Sequence, residues 1–227
     1  MSFTNFNDIA KNNGQVVRII HVASGKSVEF PAFIKNFEDN YQVGWGSEQI
    51  FGRNDPVKPY QSTTRQISIS FTVLSPDLQS AKKNMHDFSL LTKMLYPVYS
   101  EPLDGEGGSV GRTIKAPPLL RLSFVNFIQS ADGMGQLLGC LEGLEFAPDM
   151  DPGVFIEGEQ IFPKQFDLSF RFTPQHETPL GWENDIYPTF LAESFPYGTQ
   201  DPQANELGNT SNENGSLESA ANDRALS

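Results

Sequence analysis

Three stretches of the chain alternate apolar and polar side chains with the period of two that a half-buried strand requires. In residues 65–73, Ile67, Ile69, Phe71 and Val73 share one face, with Gln66, Ser68, Ser70 and Thr72 on the other. Residues 119–127 place Leu120, Leu122 and Phe124 together, and residues 165–173 set Phe166, Leu168, Phe170 and Phe172 opposite Asp167, Ser169 and Arg171. Burying the four apolar side chains of that last face is worth roughly 1.5–3 kcal/mol each before entropy costs. Two β-branched runs, 16–22 and 27–35, flank Ser24-Gly25-Lys26 and predict a β-hairpin. Weaker patterns predict a strand over 41–45 and a return strand over 136–146, in which Glu142 and Glu145, three residues apart, are expected on opposite faces.

Between the strands one segment changes period. Leu78, Ala81, Met85, Phe88, Leu91 and Leu95 recur every three or four residues, the mark of a helix that covers one face of a sheet. Ser75 is the expected N-cap, Pro76 the first helical residue, and Pro97 the stop. The intervening segments carry turn residues. Residues 46–63, with Gly52, Pro56 and Pro59, are expected to be irregular; 100–116 are glycine-rich; 131–135 read as a turn; and 148–158 read as an acidic, turn-rich connection. Strands, one helix and strands again predict a mainly β (α+β) fold: an antiparallel β-sandwich or partial barrel over residues 15–175, with one flanking helix. Residues 1–14 carry Phe3 and Phe6 and read as an arm that docks on its own domain or on a neighbour. Residues 176–199 hold Trp182, Tyr187, Phe190, Phe195 and Tyr197, which predicts a docking segment, and residues 200–227 are polar and read as a flexible tail.

Composition narrows the function classes. The apolar fraction of the 227 residues is 38% and the formal net charge is -12. An acidic surface disfavours nucleic-acid binding through counterion release and disfavours an anionic membrane. No run approaches the roughly 20 apolar residues of a membrane span, and the first 14 residues resemble neither a signal nor a transit peptide. Cys140 is the one cysteine, so no intrachain disulfide and no cysteine-based zinc site is expected; it reads as a buried, inert thiol made in a reducing compartment.

Candidate chemistry fails on spacing. His21, His86 and His176 form no ligand pair. The run from Gly105 to Thr113 superficially resembles a phosphate-binding loop, but a helix precedes it, Pro117-Pro118 follows it, and Arg112 stands where lysine is needed. Asp149, Asp151 and Gly153 lack the glycine placement of a calcium loop. No catalytic residue, cofactor site or metal site is expected.

One segment is distinctive. Phe51-Gly52-Arg53-Asn54-Asp55-Pro56-Val57 is followed by Tyr60-Gln61-Ser62-Thr63-Thr64-Arg65 and then by the Ile/Ser/Phe strand. This run, with the element order over residues 16–173, resembles the tail-tube and baseplate tube-initiator (hub-junction) proteins of contractile-tailed bacteriophages. The resemblance implies a tail-tube-like fold in a six-membered ring that starts or continues the tube through which DNA passes, in the tail or baseplate of a virion assembled in the host cytoplasm. It implies as partners further copies of the chain, the tail tube protein, baseplate hub and wedge proteins and the tape measure protein, with DNA in passage only and no membrane. Phe51, Gly52, Arg53, Asp55, Pro56, Tyr60, Gln61 and Arg65, with Phe3 and Phe6 of the arm, become the candidate subunit contacts. Arg53 and Asp55 serve either between subunits or within the loop. The alternatives are a peripheral or wedge component of the baseplate and a small-molecule-binding β-barrel.

Overall fold

The computed structural model describes residues 15–100, 112–132, 135–183, 190–192 and 194–198. The arm with Phe3 and Phe6, most of the glycine-rich loop, Tyr187 and the polar tail lie outside the described residues. Seven strands form one antiparallel sheet: β1 (Val16–His21), β2 (Ser27–Pro31), β3 (Phe33–Trp45), β4 (Tyr60–Leu74), β7 (Leu120–Ser123), β8 (Leu137–Glu157) and β9 (Gln160–Pro174), in the order β2-β1-β7-β8-β9-β4-β3. β5 (Val98–Tyr99) and β6 (Ile114–Ala116) make a separate two-stranded ribbon. The single described helix, α1 (Leu78–Met94), contacts β2 and β9. The architecture is therefore mainly β with one flanking helix, and the sheet is open, not a closed barrel.

The sheet curls until its β2 end faces β4, with the Phe30 and Phe71 rings 6.3 Å apart. The three alternating stretches supply the core as their period dictates. Ile67, Ile69, Phe71 and Val73 of β4, Leu120 and Leu122 of β7, and Phe166, Leu168, Phe170 and Phe172 of β9 are all buried. Val17, Ile19, Val28 and Phe30 of the first hairpin close the other side, and Leu91 and Met94 of α1 complete the cluster. Tight packing shows at Gly139, where an added Cβ would stand 2.3 Å from the Thr173 carbonyl oxygen.

Several local features differ from the sequence expectation. Asp77, not Ser75, caps α1: its carboxylate accepts from the Ser80 backbone N–H at 2.7 Å. Ser75 is instead buried, its hydroxyl accepting from the amide of Asn84, a polar residue on the helix's inner face. Both strands of the β3–β4 hairpin are longer than the pattern suggested, and the connection is not irregular throughout. Backbone bonds from Gly46 to Pro59 and between Glu48 and Val57 carry the pairing on toward the tip. The acidic stretch expected as a connection is the distal half of β8, paired with β9 as far as Glu157 and Gln160. Its prolines, Pro148 and Pro152, are tolerated because beyond Gly139 this strand, among the described residues, pairs on one side only, and an edge does not need every N–H.

Candidate interaction surfaces

β8, β9, β4 and β3 make a four-stranded sheet whose shared rows lie over the core, and the β3–β4 and β8–β9 hairpins run on past it at opposite ends. On its outer face the register sets Asn36, Glu38, Asn40 and Gln42 of β3 against Ser70, Ser68, Gln66 and Thr64 of β4. Asp167, Ser169 and Arg171 of β9 continue the same rows, since they pair with Thr72, Ser70 and Ser68. Hydroxyls hold the carboxylates in place: Thr72 donates to Asp167, Ser169 to Glu145 and Thr173 to Glu142. Lys35 also bonds Asp167 and keeps its carboxyl below the ordinary range, with Thr72 assisting. Glu142 and Glu145 therefore share one face, against the expectation from their spacing. A bulge between them, with Gly143 at φ +63°, turns Leu144 inward with Leu141 and Phe146. Cys140 lies half-buried on this polar side, 3.8 Å from the Gln175 amide nitrogen, and not in the core.

Past the core the inner face of the same hairpin changes character. Asp39 lies opposite Ile67 and Tyr41 opposite Arg65, so all four share the inner side. The Arg65 guanidinium meets Asp39 through Nε at 2.9 and 3.1 Å and Nη2 at 2.6 Å, and both side chains are 3% exposed. Tyr41 and Tyr197 also donate to Asp39, each at 3.0 Å. Burial raises both phenols above their ordinary range, and the Asp39 carboxylate adds to the rise. The guanidinium carbon lies 5.4 Å from the Tyr41 ring centre and 5.2 Å from that of Phe195. The segment after β9 thus folds back over its own β3, with Phe195 against Tyr41 and His176 and Tyr197 against Phe127. It leaves Trp182 and Leu191 exposed.

The candidate contact residues divide between these places. Phe51, Gly52, Arg53, Asp55 and Pro56 are exposed around the β3–β4 tip, where Phe51 has no cover at all (106% of its reference area) and Gly52 adopts φ +83°. Tyr60 packs edge-on against Trp45 below the tip, leaving both rings more than half exposed. Gln61 is exposed beside them. Arg65 stands apart from this group as the buried centre of the ion pair. Asp39, its partner, was missed by the sequence reading. The only available signal was an acidic residue on the apolar row of a strand that the pattern did not extend that far. A second hairpin tip, β8–β9, bears exposed Ile156 and Ile161 paired across the strands, with Lys82 of α1 bonded to Glu157.

Among the described residues no group of three or more His, Cys, Asp or Glu side chains could hold a metal ion, and no helix is long and apolar enough to cross a membrane. No family model matches the sequence, and no curated protein matches it. Among solved structures, the SPP1 Dit (gp 19.1) protein, described as a paradigm of hub adsorption apparatus in Gram-positive infecting phages, is similar at 11% sequence identity and a TM-score of 0.34. The similarity covers 73% of this chain and 52% of that one, so the chain spans about half the length of its counterpart.

Proposed function

We propose that the chain is a structural subunit of a contractile phage tail, closing with further copies into a ring at the junction of baseplate hub and tail tube. The observation that carries this reading is the four-stranded sheet β8-β9-β4-β3 with its polar outer face. It has one wall of hydroxyl, amide and carboxylate groups, and, among the described residues, two open edges: β3 pairs only with β4, and β8 beyond Gly139 pairs only with β9. A 13-residue open edge is a template for pairing with another chain, and closing a ring removes such edges. Placed inward, a wall in which Glu38, Glu142 and Glu145 outnumber Arg171 repels a polyphosphate and lets it pass without being held. The exposed Phe51 loop and the Phe3/Phe6 arm are then contacts to adjacent rings, the tube protein above and hub or wedge proteins below. The resemblance carried by residues 51–71 supports the same reading independently.

Electron microscopy of the purified chain, alone and with co-expressed tail proteins, tests it. Six-fold rings, free or seated on a hub, are expected. A chain that stays monomeric at every concentration and is absent from purified virions overturns the proposal, and a copy number per virion that is incompatible with one ring points to a peripheral or wedge position.

A further inference from the structure

A cavity of about 340 Å³ opens beside the Arg65–Asp39 pair, walled by the rings of Tyr41, Tyr60, Phe190 and Phe195. Two of its lining side chains carry polar atoms with no partner among the described residues. Arg65 is 5% exposed, and its Nη1, the one guanidinium nitrogen not turned to Asp39, is buried without a partner. Both ring nitrogens of His176 are likewise buried and unpartnered. A buried donor left unsatisfied is costly, so an occupant that supplies an acceptor is favoured here.

The chemistry narrows that occupant. The charge of Arg65 is already balanced by Asp39, so the guanidinium has a spare N–H and no spare charge. A second carboxylate would approach Asp39 as well as Arg65. Burial and the neighbouring Arg65 hold His176 neutral by lowering its pKa, so its ring offers one N–H and one acceptor nitrogen. A neutral group with one acceptor and one donor close together is a peptide unit. Aromatic walls suit an aromatic side chain, which prefers edge or offset contacts with other rings. Tyr41 also belongs to β3, whose outer edge is left open by the described residues and could take an extended strand.

We propose that this cavity is a binding site for an extended polypeptide segment of a partner chain, with one aromatic side chain seated among the rings and the adjoining peptide unit bonded to Arg65 and His176. The site stands whether or not the chain forms a ring.

Saturation-transfer NMR on the full-length protein tests it with N-acetyl-phenylalanine methylamide as the probe. Saturable binding at millimolar concentration is expected, about tenfold tighter than that of the glycine analogue, which lacks the ring. Gly181 lines the cavity, and a Cβ added there meets nothing within 4 Å, so Gly181→Trp starts a bulky side chain at the cavity wall and should abolish binding. Thr63→Trp on the exposed rim gives an independent block, and circular dichroism checks both folds. No saturable binding, binding unchanged in both folded tryptophan variants, or 3-phenylpropionate bound more tightly than the amide would each overturn the proposal. The last outcome would assign an anion site instead.

Discussion

Replacing Asp39 by alanine tests how the projecting hairpin is held. The carboxylate takes two nitrogens of Arg65 and the hydroxyls of Tyr41 and Tyr197, so it ties β3, β4 and the C-terminal segment at one point. Asp39→Ala strands a guanidinium that is 3% exposed and sits between two rings. Breaking a buried pair from one side costs about 3–5 kcal/mol, mainly because the remaining charge is uncompensated. For a chain of this size each kcal/mol lowers Tm by about 2–4 °C, so a fall on the order of 10 °C is expected. Urea denaturation followed by tryptophan fluorescence measures the same loss. Removing both charges with Asp39→Leu and Arg65→Met should recover most of it, because the desolvation cost disappears with the attraction. If Asp39→Ala stays within about 1 kcal/mol of the native protein, the guanidinium reaches solvent by displacing Phe195 and Tyr197, and the segment does not clamp the hairpin.

Stability should fall as pH drops below the ordinary histidine value of 6.5, because burial lowers the pKa of both His21 and His176 and the unfolded chain then binds the extra protons. Thermal melts between pH 7 and pH 5 read this, and His176→Gln should flatten the slope; an unchanged slope removes His176 from the account. Gly139→Ala should destabilise by about 3 kcal/mol because its Cβ meets backbone, whereas Gly25→Ala, at φ +67° in open space, should cost about 1 kcal/mol. Equal losses at the two glycines would contradict the packing at the start of β8. Asp77→Ala should cost about 1 kcal/mol through loss of the cap, seen as a lower urea midpoint with an unchanged slope. Phe51→Ala should leave monomer stability within about 0.5 kcal/mol, since the ring touches nothing, while reducing ring formation in micrographs. Normal rings from this variant would exclude Phe51 as a subunit contact.

The core was legible because its signal is local. Alternation alone selected the buried rows of β4, β7 and β9, and the helical period found α1. What was missed depends on neighbours. The cap moved from Ser75 to Asp77 because Asn84, about two turns into the helix, is buried and takes the Ser75 hydroxyl as its acceptor. Nothing near Ser75 in sequence signals that bond. The distal half of β8 looked like a connection because proline and glycine interrupt it, and an edge position makes such residues tolerable. The face of Glu145 follows from the bulge at Gly143-Leu144, which spacing cannot reveal.

The Arg65 cluster arises from the same limit, and it connects the hairpin's shape to its proposed use. Alternation along β4 continues from Ile67 to Arg65 without changing side, so the inner row runs beyond the reach of the core. An apolar row there would need a cover as large as the core layer itself. The chain instead places a charge-balanced pair on that row and closes it with Phe195, Tyr197 and His176 from the segment after β9. Phe195 and Tyr197 of that segment are not part of a free tether, because their aromatic rings complete the inner side of the hairpin. The polar outer wall is left bare as a consequence: its rows of Ser, Thr, Asn and Gln need no cover, and hydroxyl-to-carboxylate bonds between strands fix them in place. A sheet held rigid from one side and wet on the other is what a channel wall requires. The C-terminal clamp is therefore as much a condition of the proposed ring as the open edges of β3 and β8.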